Sequence, residues 1–144
     1  MQRSRFRPHG QYEPSTDGQV LIAHCFGSWN IEMHQESQRL AGPLVAQLAA
    51  KGPWGCITVV HESMLTSLEV LEAGREAVAK LPEESRLVAL AWVLTPELEG
   101  YAVLYRRYAT MYEGLIETKV FDNLPGAQYW IEKVIASKPK ATAA

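Results

Sequence analysis

No run in the 144 residues approaches the ~20 apolar residues that a membrane span requires. The N-terminal stretch MQRSRFRPHG is basic but lacks the apolar core of a secretory signal. Cysteine is scarce: Cys25 and Cys56 sit inside apolar runs, outside any CxxC pair. That usage points to two buried thiols in a reducing compartment rather than to a disulfide or a reactive site. Together these absences imply a cytoplasmic protein. Charge of one sign is lacking too. Fourteen Lys and Arg against sixteen Asp and Glu leave a net charge of −2, too little to draw the chain to nucleic acid or anionic lipid.

Catalytic motifs are equally absent. There is no G-x-G-x-x-G and no GK[ST] loop, so nucleotide binding has no support and no cofactor is expected. FGSWN, residues 26–30, lacks the second glycine of a G-x-S-x-G nucleophile elbow. HESML at 61–65 is not the HExxH that sets two imidazoles on one helix face. A metal set can be assembled on paper from His24, His34, His61, Glu32, Glu36 and Glu62, but hydrogen-bonded structural histidines are the simpler reading, and no metal is expected. Ser28 with His61 and Glu62 is the one conceivable triad, at the ends of neighbouring strands.

What is present is a regular alternation of elements in a chain of single-domain length. Hydrophobic residues at 47% and charged residues at 21% are ordinary globular values. GQYEPSTDGQVLIAHCFG predicts a hairpin turning at Asp17-Gly18. Asn30 then suits an N-cap, with Glu32 in the first turn. Met33, Leu40, Leu44 and Leu48 recur at helical spacing, and Pro43 predicts a kink or break. A strand over Cys56–His61 follows, then a helix opening between Ser63 and Ser67 with Leu68, Leu71, Val78 and Leu81 inward. RLVALAWVL reads as a buried strand, and Thr95-Pro96-Glu97 as the start of a helix running to about Gly114. IETKVFD is a last strand and NLPGAQYWIEKVIA a closing helix. The order β-β-α-β-α-β-α-β-α implies an α/β domain: one mostly parallel mixed sheet of about five strands, about four helices and an N-terminal hairpin. It spans residues 11–136, between a flexible N-terminus (1–10) and a flexible tail (137–144).

Three stretches carry a family likeness: the turn, strand and Gly-Ser-Trp-Asn before the first helix; WGCITVVHES leading into MLTSLEVLEAG; and KVFDNLPGAQYWIEK. In that order they resemble the STAS-like superfamily (sulfate transporter and anti-sigma-factor antagonist domains), specifically its stand-alone bacterial members. The resemblance implies a regulatory or ligand-binding domain without catalysis. In antagonist members a serine at the start of the helix after the central strand is phosphorylated within Asp-Ser-Ser-Gly. Ser67 is the nearest positional match here, with Ser63 and Thr66 as neighbours, but the motif itself is missing and Glu69 stands where a small residue would ease partner approach.

Two further features concern binding. Tyr101, Tyr105, Tyr108 and Tyr112 fall on one helix stripe, which suits either a core face with wet hydroxyls or an interface to a protein partner or second subunit. Trp29, past a strand end, and Trp92, near another, are placed to line an apolar pocket with His61 nearby, outside the carboxyl ends of the strands. The leading expectation is a non-enzymatic regulatory or interaction module acting through protein contact or a small apolar ligand. A small-molecule or lipid carrier is second, and a hydrolase using Ser28 and His61 third.

Overall fold

Turn chemistry places the first two strands. Gly18 adopts a left-handed φ of 60°, joining β1 (Gln11–Asp17) to β2 (Val20–Phe26). They pair antiparallel from Gln11–Phe26 to Asp17–Val20. In the computed structural model, which describes residues 6–139, three more strands add in parallel: β3 (Trp54–His61), β4 (Leu87–Val93) and β5 (Glu117–Phe121). The result is one five-stranded mixed sheet in the order β1-β2-β3-β4-β5, with helices α1 (Ile31–Lys51), α2 (Leu68–Ala79), α3 (Tyr101–Ala109) and α4 (Leu124–Ala136). This is the architecture expected from the sequence. Residues 1–5 and 140–144, which hold the outer parts of the expected flexible ends, lie outside the described residues.

Strand order matching chain order has a consequence for the helices. Each parallel crossover steps to the same side, and a uniform right-handed sense puts successive crossover helices on one face. α1, α2 and α3 accordingly share a face: Leu21 and Trp54 pack with Leu48 of α1, while Leu90, Trp92 and Leu94 pack with Leu71 of α2 and with Tyr108 and Tyr112. α4 follows the last strand and covers the opposite face, where Ile131, Ala127 and Val134 meet Ile57, Val59 and Ala89. Ile57 and Ile131 are fully buried, a gain of ~1.5–3 kcal/mol for each such side chain.

Asn30 caps α1 as the sequence implies, accepting from Met33 N–H; Ser67 and Asn123 do the same for α2 and α4, accepting from Val70 and Gly126 N–H. Several expectations need correction. α1 runs unbroken through Pro43, which is exposed along with Arg39, so water is able to satisfy the carbonyl that proline leaves without a donor. Helix α3 begins at Tyr101, not at Thr95. Residues 95–98 instead form a turn closed by Leu98 N–H to the Thr95 carbonyl. The backbone of Glu99 pairs with the segment after β3, donating to Glu62 and accepting from Met64. Gly100 then takes φ 85°, a geometry that ends any helix arriving from upstream. α3 also stops at Ala109, so Tyr112 lies in the turn beyond it. Leu68 points outward, 51% exposed, and Leu81 lies past the end of α2, 39% exposed.

Candidate functional site

The sheet face under α1 and α2 sets small residues among large ones. Across three strands, Ala23, Thr58 and Trp92 form one row and Leu21, Cys56 and Leu90 the next. Opposite them α1 presents His34, Ser37 and Ala41, and α2 presents Gly74 and Ala77. Short side chains on both layers leave a cavity of about 330 Å³, within the range of small-molecule sites. It explains why the 21-residue α1 has only Met33, Ser37 and Leu48 fully buried.

Both tryptophans singled out from the sequence stand in this wall. Trp29 follows the end of β2, where its backbone bridges to Thr66 beyond β3 and its carbonyl accepts from the Thr66 hydroxyl at 3.0 Å. Its ring meets Tyr12 edge-on at 5.7 Å. On its other side lies Gly10, where an added Cβ would fall 2.5 Å from the indole. That segment is tied down by His9 N–H to Asn30 Oδ1 (2.9 Å) and by Asn30 Nδ2 to the Arg7 carbonyl (2.8 Å). Trp92 packs against Tyr108 edge-on at 4.9 Å and is stacked with Tyr112 at 6.2 Å. The indole N–H groups of Trp29 and Trp92 are buried and have no hydrogen-bond partner, a cost of ~1–3 kcal/mol for each buried donor left unpaired.

The wall's hydroxyls, by contrast, are mostly spent within the protein. Tyr108 donates to the Met64 carbonyl at 2.6 Å and Ser37 to the His34 carbonyl at 2.7 Å. Ser63 accepts from Leu65 N–H at 3.0 Å. Burial keeps the ionisable groups of the wall neutral. It pushes the Cys56 thiol up to about 11 against a smaller opposing effect of the Thr58 hydroxyl, and Tyr108 up to about 12. It raises Cys25, Tyr12 and Tyr112 further still, and it lowers His34 below the usual imidazole value.

The other predicted site residues divide between this cavity and different places. Ser63 and Thr66 line it; Ser67 is exposed and caps α2. His61 lies outside it. The imidazoles of His61 and His24 meet at 2.8 Å, Nε2 to Nδ1, and His61 stacks on Phe26 at 4.4 Å. Burial, then the neighbouring His24, lowers the His61 pKa. Ser28 faces the Ser63 hydroxyl at 3.3 Å. The nucleophile and base of the conceivable triad therefore engage different partners. His34, from the paper metal set, is in the cavity wall, apart from the His24–His61 pair. Among the described residues no three His, Cys, Asp or Glu side chains are grouped to hold a metal ion. The tyrosine stripe splits as well: Tyr108 and Tyr112 are core, while Tyr101 and Tyr105 pair at 5.1 Å with Tyr105 exposed.

Sequence reasoning missed Tyr12, Cys25, His34, Cys56 and Thr58 as wall residues. The signal was available in part. Ala23 and Thr58 interrupt strands otherwise made of larger apolar residues, and Gly74 and Ala77 do the same on the inner side of α2. Their adjacency needed the strand register and the shared helix face. No helix is long and apolar enough to cross a membrane among the described residues. Compared with protein-family models, curated proteins and solved structures, the chain matches none.

Proposed function

We propose that this chain is a non-enzymatic binding module that holds one small apolar ligand between its sheet and helices α1 and α2. The observation that carries the reading is the cavity of about 330 Å³ with Trp29 and Trp92 in its wall. At the ~30 Å³ that a water occupies in the liquid, it has room for about ten waters or an apolar molecule of equal bulk. Apolar burial supplies the affinity, by ~25 cal/mol for each Å² removed from water. Ser28 and His61 engage different partners, which favours holding over bond-breaking. In keeping with the STAS-like order of elements, the bound state serves regulation: a ligand bridging α1 and α2 changes how firmly the start of α2, with Ser67 at its exposed cap, is held.

The test uses N-phenyl-1-naphthylamine, a neutral probe that brightens in apolar surroundings. Saturable one-to-one binding is expected, lost in Ala23→Phe, which fills the floor of the cavity, while circular dichroism stays unchanged. Emission that rises without saturation, or is equal in the variant, would overturn the reading.

A protein contact has its own supporting observation. Leu65, 42% exposed, lies against Gly100 at the head of α3, and Val103 in the first turn of that helix is 82% exposed. Apolar side chains so placed suit a partner or a second copy. Sedimentation at rising concentration tests the second copy; a strict monomer removes it.

A further inference from the structure

We infer that the cavity selects electrically neutral ligands and rejects both anions and cations of the same shape. The inference rests on the binding reading above and adds the chemistry of what is bound. It starts from which side chains form the wall. Among the described residues, not one lysine, arginine, aspartate or glutamate lines it. The ionisable groups that do line it are three tyrosines, two cysteines and one histidine. These groups sit between a sheet and two helices, where losing water penalises any charge, so the tyrosines and thiols stay protonated and His34 unprotonated.

A carboxylate or ammonium entering this space gives up its hydration and meets no opposite charge, which is several kcal/mol uphill. Fixed dipoles offer little compensation. The hydroxyls of Ser37, Thr66 and Tyr108 already donate to backbone carbonyls. The donors left over include the indole N–H groups of Trp29 and Trp92. A neutral acceptor such as an alcohol, ketone or ester oxygen satisfies such a donor when the ring turns toward it, and does so without the desolvation cost of an ion. The ligand class is therefore an uncharged, mainly hydrocarbon molecule.

The experiment displaces N-phenyl-1-naphthylamine from the intact chain at neutral pH with three competitors of one chain length: 1-octanol, octanoate and octylammonium. The expected result is displacement by 1-octanol with both ions at least ~10-fold weaker, since each decade is ~1.4 kcal/mol. Greater water solubility of the ions is controlled by Gln38→Arg, an exposed rim position. The variant should narrow the octanol-to-octanoate ratio several-fold and leave octylammonium weak. Octanoate or octylammonium matching octanol in the native chain overturns neutral selection while the cavity remains a binding site. An unchanged ratio in Gln38→Arg also overturns it, because the preference then reflects partition alone. Failure of the naphthylamine itself to bind overturns this inference and the binding reading together.

Discussion

The hydroxyl of Tyr108 on α3 donates to the carbonyl of Met64, 2.6 Å away, and so ties the third crossover helix to the loop leaving the central strand. Both residues are buried, and Tyr108 also holds the edge of Trp92. One phenol thus joins the loop beyond β3 to the wall of the cavity. Tyr108→Phe should lower stability by ~1–3 kcal/mol, because it strands a buried carbonyl. Urea unfolding checks this; an unchanged midpoint would mean that water takes the place of the hydroxyl.

Packing on the opposite face makes a sharper demand. A Cβ at Gly55 on β3 would lie 2.6 Å from two atoms of Ile131 and 3.3 Å from the Ala89 carbonyl. Gly55→Ala must push α4 off the sheet, at a cost of ~1–3 kcal/mol. Naphthylamine binding should survive, since α4 and the cavity lie on different faces. Loss of binding with retained stability would put the ligand under α4 instead.

The thiols should be quiet. Cys56 is in register with Leu21, four residues along β2 from Cys25. With ~3.3 Å per residue along the strand and ~4.8 Å between strands, their Cα atoms are about 14 Å apart, far beyond disulfide reach. Burial holds both thiols well above their usual range, Cys56 at about 11. Ellman's reagent at neutral pH should react with the folded chain at least ~100-fold more slowly than with the urea-unfolded chain, and more slowly still when the cavity is filled. Fast labelling of folded protein would contradict the burial of these thiols.

Acid should loosen the fold before carboxylates titrate. His34 and His61 are both held below the ordinary 6.5 in the folded chain, the first by burial, the second by burial and then by His24. Unfolded imidazoles then take up protons that the folded ones refuse. The stabilisation is complete above about 6.5 and is lost as pH falls through the lowered folded values. Urea midpoints should decline from pH ~7 to pH ~5, and His34→Gln should flatten part of that slope. A midpoint that rises on acidification would contradict the sign.

Much of this architecture was legible in the residues. Asp17-Gly18 marks a turn and Asn30 a cap, and local chemistry at each is enough to place it. Thr95-Pro96-Glu97 misled for a physical reason: its cap chemistry is sound, but the backbone pairing of Glu99 with the segment after β3 outweighs it, and no local pattern reveals that pairing. The site was half legible. Trp29 and Trp92 are conspicuous past strand ends, whereas Ala23 and Thr58 matter for what they leave empty. An empty volume is a property of two layers at once, and neither layer's sequence displays it.

The most direct measurement follows the four indole N–H resonances in a two-dimensional nitrogen–proton spectrum while the naphthylamine is added. Trp29 and Trp92 should shift together and saturate at one equivalent, while Trp130, which packs with Phe121 on the α4 face, stays still. A spectrum in which Trp130 moves and Trp29 and Trp92 do not would place the ligand on the wrong side of the sheet.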